Sequence, residues 1–357
     1  MPYGVGAGSS APPPARSGAR ALVLGAGIVA LVALAALLPS RPERAGFRSF
    51  DGEAMSTLWR IVLPDRPGAE AAAQECFDLF RSLDLELSEW KAGSPLAAVN
   101  RASGGAALPV PPGLFAVLER SLELAEATEG AFDPSWAALW ALWDFHNPNG
   151  VPPDPAEVAA RLTDIDWRAV ELDAAARTVR LARPGMQLGL GAIGKGWALD
   201  RAGERLEARG FHDFLITAGG QVLARGRNGE RAWRVGLRDP RGGRDELFAV
   251  VELVDGSLST SADNESFFLH RGERYHHVLD PRTGWPARGA RSATVLHREA
   301  AAADALSTAL MVLGAPRGLE AVERLGGEGL VVAPDGAVVA TPSLERRLLE
   351  RRAPHRG

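Results

Sequence analysis

Cysteine is all but absent: Cys76 is the single one in 357 residues, which excludes an internal disulfide and a cysteine-based zinc cluster. An excess of positive charge is absent too. The formal net charge is −4 and the pI about 6.0, so nothing resembles the basic footprint of a nucleic-acid binder, and no nucleic-acid partner is expected. Long apolar runs are absent except for one. Ala21 to Leu38 is entirely apolar or glycine. Roughly 20 such residues cross a bilayer core, whereas a signal peptide has a shorter apolar region, about 7–15 residues, ahead of a small-residue cleavage site. The run is therefore expected to be an uncleaved membrane anchor rather than a signal segment. No cysteine lies directly after it, so a lipid-bearing cysteine is excluded there.

Around that run the chain divides by composition. Residues 1–20 are rich in Gly, Ser, Pro and Ala, with Arg16 and Arg20, and lack the apolar content to fold, so they read as a disordered leader. Residues 39–46 are a short linker. The remainder is long enough to bury a large core and is expected to form one domain over 47–345 of α+β class, with mixed α/β layers. Its first strand is expected over Met55–Leu63, ended by Pro64. Helical spacing of Ala72, Cys76, Leu79, Phe80, Leu83 and Leu87 predicts a helix over Gly68–Leu87, and a second follows over Gly113–Thr128. Residues 146–156 hold too much Pro, Asn and Gly for a regular element. From Gly318 a helix is expected, then a strand pair about Pro334-Asp335-Gly336 and a short helix near Leu344. The Arg-rich tail, 346–357, reads as a solvated helix end and coil.

The chemistry concentrates between Tyr275 and Thr308. Tyr275-His276-His277-Val278-Leu279-Asp280-Pro281-Arg282-Thr283-Gly284 packs two histidines, a carboxylate, an arginine and a hydroxyl into a segment broken by Asp-Pro and Thr-Gly, which must turn and expose polar groups. Asp304 and Thr308 then fall i, i+4 on a helix-forming run, Ala300–Leu313, so a carboxylate and a hydroxyl share one face. Hard oxygen donors so placed suit Mg2+. By spacing alone, such a pair more often marks a polar stripe. A third stretch, Leu188-Gly189-Leu190-Gly191-Ala192-Ile193-Gly194-Lys195-Gly196, lets backbone approach a ligand and leads into a helix whose first N–H groups suit phosphate oxygens. It is not a Walker A loop, since the first glycine and the Lys-Ser/Thr ending are missing in register.

Taken together and in order, these stretches resemble the ApbE family of FAD:protein FMN transferases. The resemblance covers about Met55 to Thr341. Met55-Ser56-Thr57 is similar to the family's M-G-T, and Ser88-Glu89-Trp90 with Ser94, Leu96 and Asn100 to its S-x-[YF]-x-x-x-S-x-[LIV]-x-x-x-N. Gly130-Ala131-Phe132-Asp133-Pro134 matches G-x-[FM]-D-[PI]. The Gly-rich stretch resembles D-L-G-G-I-A-K-G-[YW]-A-x-D, with Gly189 in place of the aspartate and Ala192 in place of the second glycine. Gly219-Gly220-Gln221 stands where the family commonly has G-G-[DN]. Ser259 to Asn264 resembles [AS]-T-S-G-x-Y, and the last two stretches resemble H-x-I-D-P-x-T-G-x-P and A-D-A-x-x-T.

The resemblance implies a single ApbE-like catalytic domain that splits the FAD pyrophosphate, joins FMN to a Ser or Thr hydroxyl of an acceptor flavoprotein as a phosphoester, and releases AMP. It places FAD, the substrate, against Met55, Trp90, Ala131, Phe132, Asp133, Lys195 and Leu279. The metal, Mg2+ or Mn2+, would be held by Asp304, Thr308 and the carbonyl of Ala192. His277 would be the base that takes the hydroxyl proton. The residues alone do not choose between His276 and His277; the alignment with H-x-I-D-P does, and Asp280 would orient the loop. Two other readings use the same contacts: a Mg2+-dependent FAD pyrophosphatase, with water in place of the acceptor, and a non-catalytic extracytoplasmic FAD-binding protein. The expected setting is the cytoplasmic (inner) membrane, with the domain on the extracytoplasmic, periplasmic side, near membrane-associated acceptors.

Overall fold

Two strands, β1 (Phe47–Ala54) and β2 (Thr57–Pro64), form an antiparallel hairpin whose turn is Met55-Ser56, both with positive φ, 49° and 55°. Two consecutive left-handed residues make the turn whose twist matches the strands it joins. The strand expected over Met55–Leu63 is thus corrected. Its first two residues are the turn, and a strand from Phe47 precedes it. The usual Asn-Gly or Asp-Gly signal is missing here, so the turn was not legible. The computed structural model describes residues 46–243 and 245–355. The expected leader and anchor, and the linker up to residue 45, lie outside them. Among the described residues no helix is long and apolar enough to cross a membrane.

Helix α1 (Ala69–Glu86) follows the expected spacing and stacks Phe80 on Trp59, ring centres 3.8 Å apart. Helix α2 (Pro95–Arg101) starts where its sequence dictates: Pro95 opens it, and the Ser94 hydroxyl accepts the Ala97 N–H at 3.1 Å. Strand β3 (Leu108–Pro109) and helix α3 (Pro112–Ala127) come next, then α4 (Pro155–Arg161). Strands β4 (Val170–Asp173) and β5 (Thr178–Leu181) complete a small sheet with β3. Helix α5 (Gly194–Ala208) follows the Gly-rich stretch.

After α5 come β6 (Phe214–Ala218), β7 (Gln221–Arg225), β8 (Trp233–Arg238), β9 (Leu247–Leu253) and β10 (Gly256–Ala262). A hairpin of β11 (Phe267–His270) and β12 (Glu273–His276) leads to β13 (Ser292–His297). Helices α6 (Ala300–Leu313) and α7 (Arg317–Arg324), strands β14 (Glu328–Val332) and β15 (Val338–Ala340), and the short α8 (Pro342–Glu345) follow. Finally β16 (Leu348–Arg351) pairs with β9. That strand corrects the reading of the tail as helix end and coil: backbone pairing, to which charged side chains are indifferent, decides it.

The architecture is a mixed α/β domain with antiparallel sheets. Eight strands run in the order β1-β2-β6-β7-β10-β13-β14-β15, and β16-β9-β8 form a second sheet. Alternation assigns the faces of the large sheet. Ile61, Ile216, Leu223, Val295 and Val331 point into a core shared with α1, α5 and α6. Their neighbours Val62, Leu215, Val222, Leu296 and Val332 point into another, shared with Val235, Val251 and Leu253 of the second sheet. Both faces are covered, which is why these strands read as nearly continuous apolar runs.

Candidate active site

The close crossing of α5 and α6 is set by Gly196, where a Cβ would collide with the Ala300 carbonyl oxygen. The same approach brings the Gly196 N–H to Asp304, donating to Oδ2 at 3.0 Å. One turn along α5, the Asp200 carboxylate accepts the N–H groups of Ala300 and Ala301, 2.8 Å each. The N-cap residue Glu299 provides no side-chain cap, so Asp200 satisfies the orphan donors of the first turn from another helix. Burial pushes the Asp200 carboxyl up to about 6, against the pull of those two N–H groups. Two contacts therefore hold Asp304 in register with the Gly-rich segment.

Beside the β6–β7 turn lies a cavity of about 290 Å³. Its lining gathers Trp90, Ala131, Phe132, Asp133, Ala192, Lys195, His277, Leu279, Asp304 and Thr308 from across the chain. Met55 is the exception among the expected residues. It sits in the left-handed turn, packed on the core with its methyl toward Gly194, and does not line the cavity.

At one side of the cavity the groups are oxygen donors. The Gln221 side-chain amide donates to Asp304 Oδ1, and its own Oε1 is buried without a partner. Ser261 Oγ lies 3.4 Å from Thr308 Oγ1, and Thr308 Oγ1 donates to the Asp304 carbonyl at 3.5 Å. Burial raises the Asp304 carboxyl pKa, and the nearby Lys195 ammonium opposes that rise. Lys195 Nζ donates to the Gly191 carbonyl at 3.1 Å. A buried carboxylate and an orphaned amide oxygen beside two hydroxyls fit a hard divalent cation that keeps some ligands from water and phosphate. Ala192 lines the same cavity.

The two histidines separate cleanly. His276 is buried away from the cavity, its Nε2–H donating to the Ala287 carbonyl at 2.9 Å, and burial lowers its pKa to about 4. His277 lines the cavity, is held by its backbone N–H to the Ser266 carbonyl at 3.0 Å, and has Nδ1 buried without a partner. Burial lowers its pKa as well, with Glu265 pulling the other way. Asp280 does orient the loop, accepting the Arg282 N–H at 3.0 Å and the Arg282 guanidinium at 2.8 and 2.7 Å.

Elsewhere the lining is aromatic. Trp90 is 61% exposed and its ring centre is 5.4 Å from that of Trp140, which is 5.1 Å from Trp136. Trp136 also leaves little room for a side chain at 189. Its indole N–H donates to the Gly189 carbonyl at 3.2 Å, and a Cβ on residue 189 would lie 3.1 Å from that nitrogen and 2.9 Å from the Ala137 methyl. Asp133 is largely engaged by its own loop: Oδ1 accepts the Ser135 N–H and hydroxyl at 2.8 and 2.7 Å, and Oδ2 accepts the Trp167 N–H at 3.2 Å. Burial still raises its pKa. Sequence reasoning missed Glu89, Trp136, Trp140, Gln221, Ser261 and Glu265 as lining residues. Trp136 and Trp140 lie outside the motifs, and Gln221 and Ser261 stand inside motifs that attach no role to them.

Comparison with known proteins matches a model of the ApbE family to residues 55–331. A protein of Treponema pallidum (strain Nichols) named FAD:protein FMN transferase is 37% identical over 313 residues, 82% of this chain and 86% of its own length. Among solved structures, the ApbE protein from Thermotoga maritima superposes with a TM-score of 0.78 at 30% identity, covering 86% of this chain and 100% of that one. The flavin transferase ApbE from Vibrio cholerae gives 0.74 at 25% identity, covering 84% and 99%.

Proposed function

The chain belongs to the ApbE family, and on that premise we propose that it is a FAD:protein FMN transferase, moving FMN from FAD onto a Ser or Thr hydroxyl of an acceptor flavoprotein. The observation that carries this reading is one cavity lined both by an aromatic group, Trp90, Trp136, Trp140 and Phe132, and by the oxygen donors of Asp304, Thr308 and Gln221, with His277 in the same lining. An isoalloxazine ring calls for the first and a pyrophosphate with its cation for the second.

In this reading the acceptor hydroxyl attacks the FMN phosphorus, the phosphorus–oxygen bond to the AMP half breaks, and AMP leaves. His277 takes the hydroxyl proton. Its lowered pKa keeps the imidazole neutral at neutral pH. The Lys195 ammonium, which lines the cavity, would hold phosphate oxygens. Asp304, Thr308, Gln221 and the Ala192 carbonyl would hold Mg2+, which would offset the charge on the pyrophosphate. Water in place of the acceptor would give FMN and AMP instead. Incubation with FAD, Mg2+ and co-expressed candidate acceptors separates the outcomes. Flavin fluorescence that stays with protein after denaturation supports transfer, and free FMN and AMP without label would leave only hydrolysis.

We place the domain on the extracytoplasmic side of the cytoplasmic membrane, tethered by Ala21 to Leu38, with acceptors that are themselves at the membrane. The apolar run and the short linker after it support the tether. Alkaline phosphatase fused after Gly357 should be active and green fluorescent protein dark; the reverse pattern rejects the placement.

A further inference from the structure

Three serines stand behind the oxygen donors of the cavity. Ser259 and Ser261 are two apart on β10, so both point from one face of the strand, and they meet Ser307 of α6 at 3.2 and 2.8 Å. Ser307 is fully buried and shares a helix face with Asp304 and Thr308 through i, i+3 and i+4 spacing. Ser261 and Thr308 line the cavity, and Ser307 backs them.

A hydroxyl has one proton and two lone pairs, and that count fixes the direction of the bonds in this cluster. Ser307 Oγ lies 2.9 Å from the Asp304 carbonyl oxygen, which can only accept, so the Ser307 proton goes there. Ser307 must then accept from Ser259 and from Ser261. With its proton turned to Ser307, Ser261 can only accept from Thr308, 3.4 Å away. The other contact of Thr308 Oγ1 is the Asp304 carbonyl at 3.5 Å, again an acceptor. Bonds of that length are weak; what decides the matter is that neither partner can give a proton to the Thr308 oxygen. Its proton is drawn back into the protein, and both its lone pairs are left for the cavity. Phosphate oxygens require donors, whereas a hard divalent cation requires lone pairs. Thr308 so held suits the cation.

We infer that Ser307 is a positioning residue for the cation: by taking the Ser261 proton it keeps the Thr308 lone pairs free, so that Thr308 acts as a metal ligand and not as a donor to phosphate. The inference deepens the transferase reading and rests on its assignment of Mg2+ to Asp304 and Thr308. Without the Ser307 oxygen, the Ser261 proton is released to turn toward Thr308 and occupy one of those lone pairs.

The test reads free Mn2+, a paramagnetic stand-in for Mg2+, by electron paramagnetic resonance as it is added to the full chain with FAD. Ser307→Ala should raise the Kd about tenfold or more, the usual cost of a lost supporting contact at a metal. Adding Ser261→Ala removes the released proton, so the double variant should bind Mn2+ more tightly than Ser307→Ala alone; a role in packing would instead make the losses add. Ser307→Cys, whose sulfur is a weak acceptor, should fall between wild type and Ser307→Ala, and it carries the test if Ser307→Ala does not fold. Wild-type Kd in the Ser307 variants overturns the inference. So does a double variant that binds no tighter than Ser307→Ala, which would make Ser261 a ligand itself or the cluster mere packing. Wild-type protein that takes up no Mn2+ rejects the cation assignment beneath it, and covalent labelling of an acceptor decides the transferase reading independently.

Discussion

Gln221 donates its side-chain amide to Asp304 while its own oxygen is buried without a partner. A glutamine so held both orients the carboxylate and offers a further oxygen donor. Asp304→Ala should abolish FMN transfer with Mg2+ as the only divalent ion and leave thermal unfolding close to wild type. Gln221→Leu should raise the Mg2+ concentration for half-maximal activity about 10–100-fold, the usual cost of a lost supporting contact at a metal. Full activity of Asp304→Ala would remove the metal assignment.

The separation of the two histidines makes a paired prediction. His277→Ala should bind FAD as wild type does and lose about 10²–10⁴ in transfer rate. His276→Gln, which keeps a donor toward the Ala287 carbonyl, should transfer FMN at nearly the wild-type rate. An inactive His276→Gln beside an active His277→Ala would exchange the two roles.

His276 also predicts a pH dependence of stability. Its folded pKa, about 4, lies below the ordinary 6.5, so the unfolded chain binds the proton more readily. Its contribution is complete above pH 6.5 and is lost as pH falls toward 4, by about 3 kcal/mol in all. Denaturant unfolding of wild type and His276→Gln between pH 7 and 4 should converge as acid is added, with wild type losing more. Parallel curves would contradict it.

Restoring the carboxylate at position 189 should harm rather than help. In Gly189→Asp the new side chain meets the Trp136 indole and the Ala137 methyl, and the packing conflict should cost about 2 kcal/mol or more. A variant with unchanged melting temperature and tighter Mg2+ binding would show that the indole moves aside at little expense.

Much of the site was legible in the sequence because its chemistry is local. Asp304 and Thr308 share a face through helix periodicity, and α6 begins and ends at the residues expected, Ala300 and Leu313. The Gly-rich stretch leads into a helix, and Asp280 orders its own loop through residues two to five positions away. Helices α1 and α3 followed apolar spacing that their own turns enforce.

What the sequence by itself determined was therefore which residues could carry the chemistry, together with the helices whose periodicity announces them. The tertiary structure decided which ones meet. The choice of His277 as the cavity residue depends on β11–β12 pairing, which turns His276 toward Ala287. The role of Gln221 depends on β7 lying beneath α6, 83 residues away along the chain. The hairpin turn at Met55-Ser56 carries no Asn-Gly or Asp-Gly signal, and the strand β16 rests on backbone pairing with distant β9, which the side-chain pattern of a short segment does not encode. Periodicity records only the burial a segment seeks; register between segments is set by packing and hydrogen bonding once the whole chain has closed.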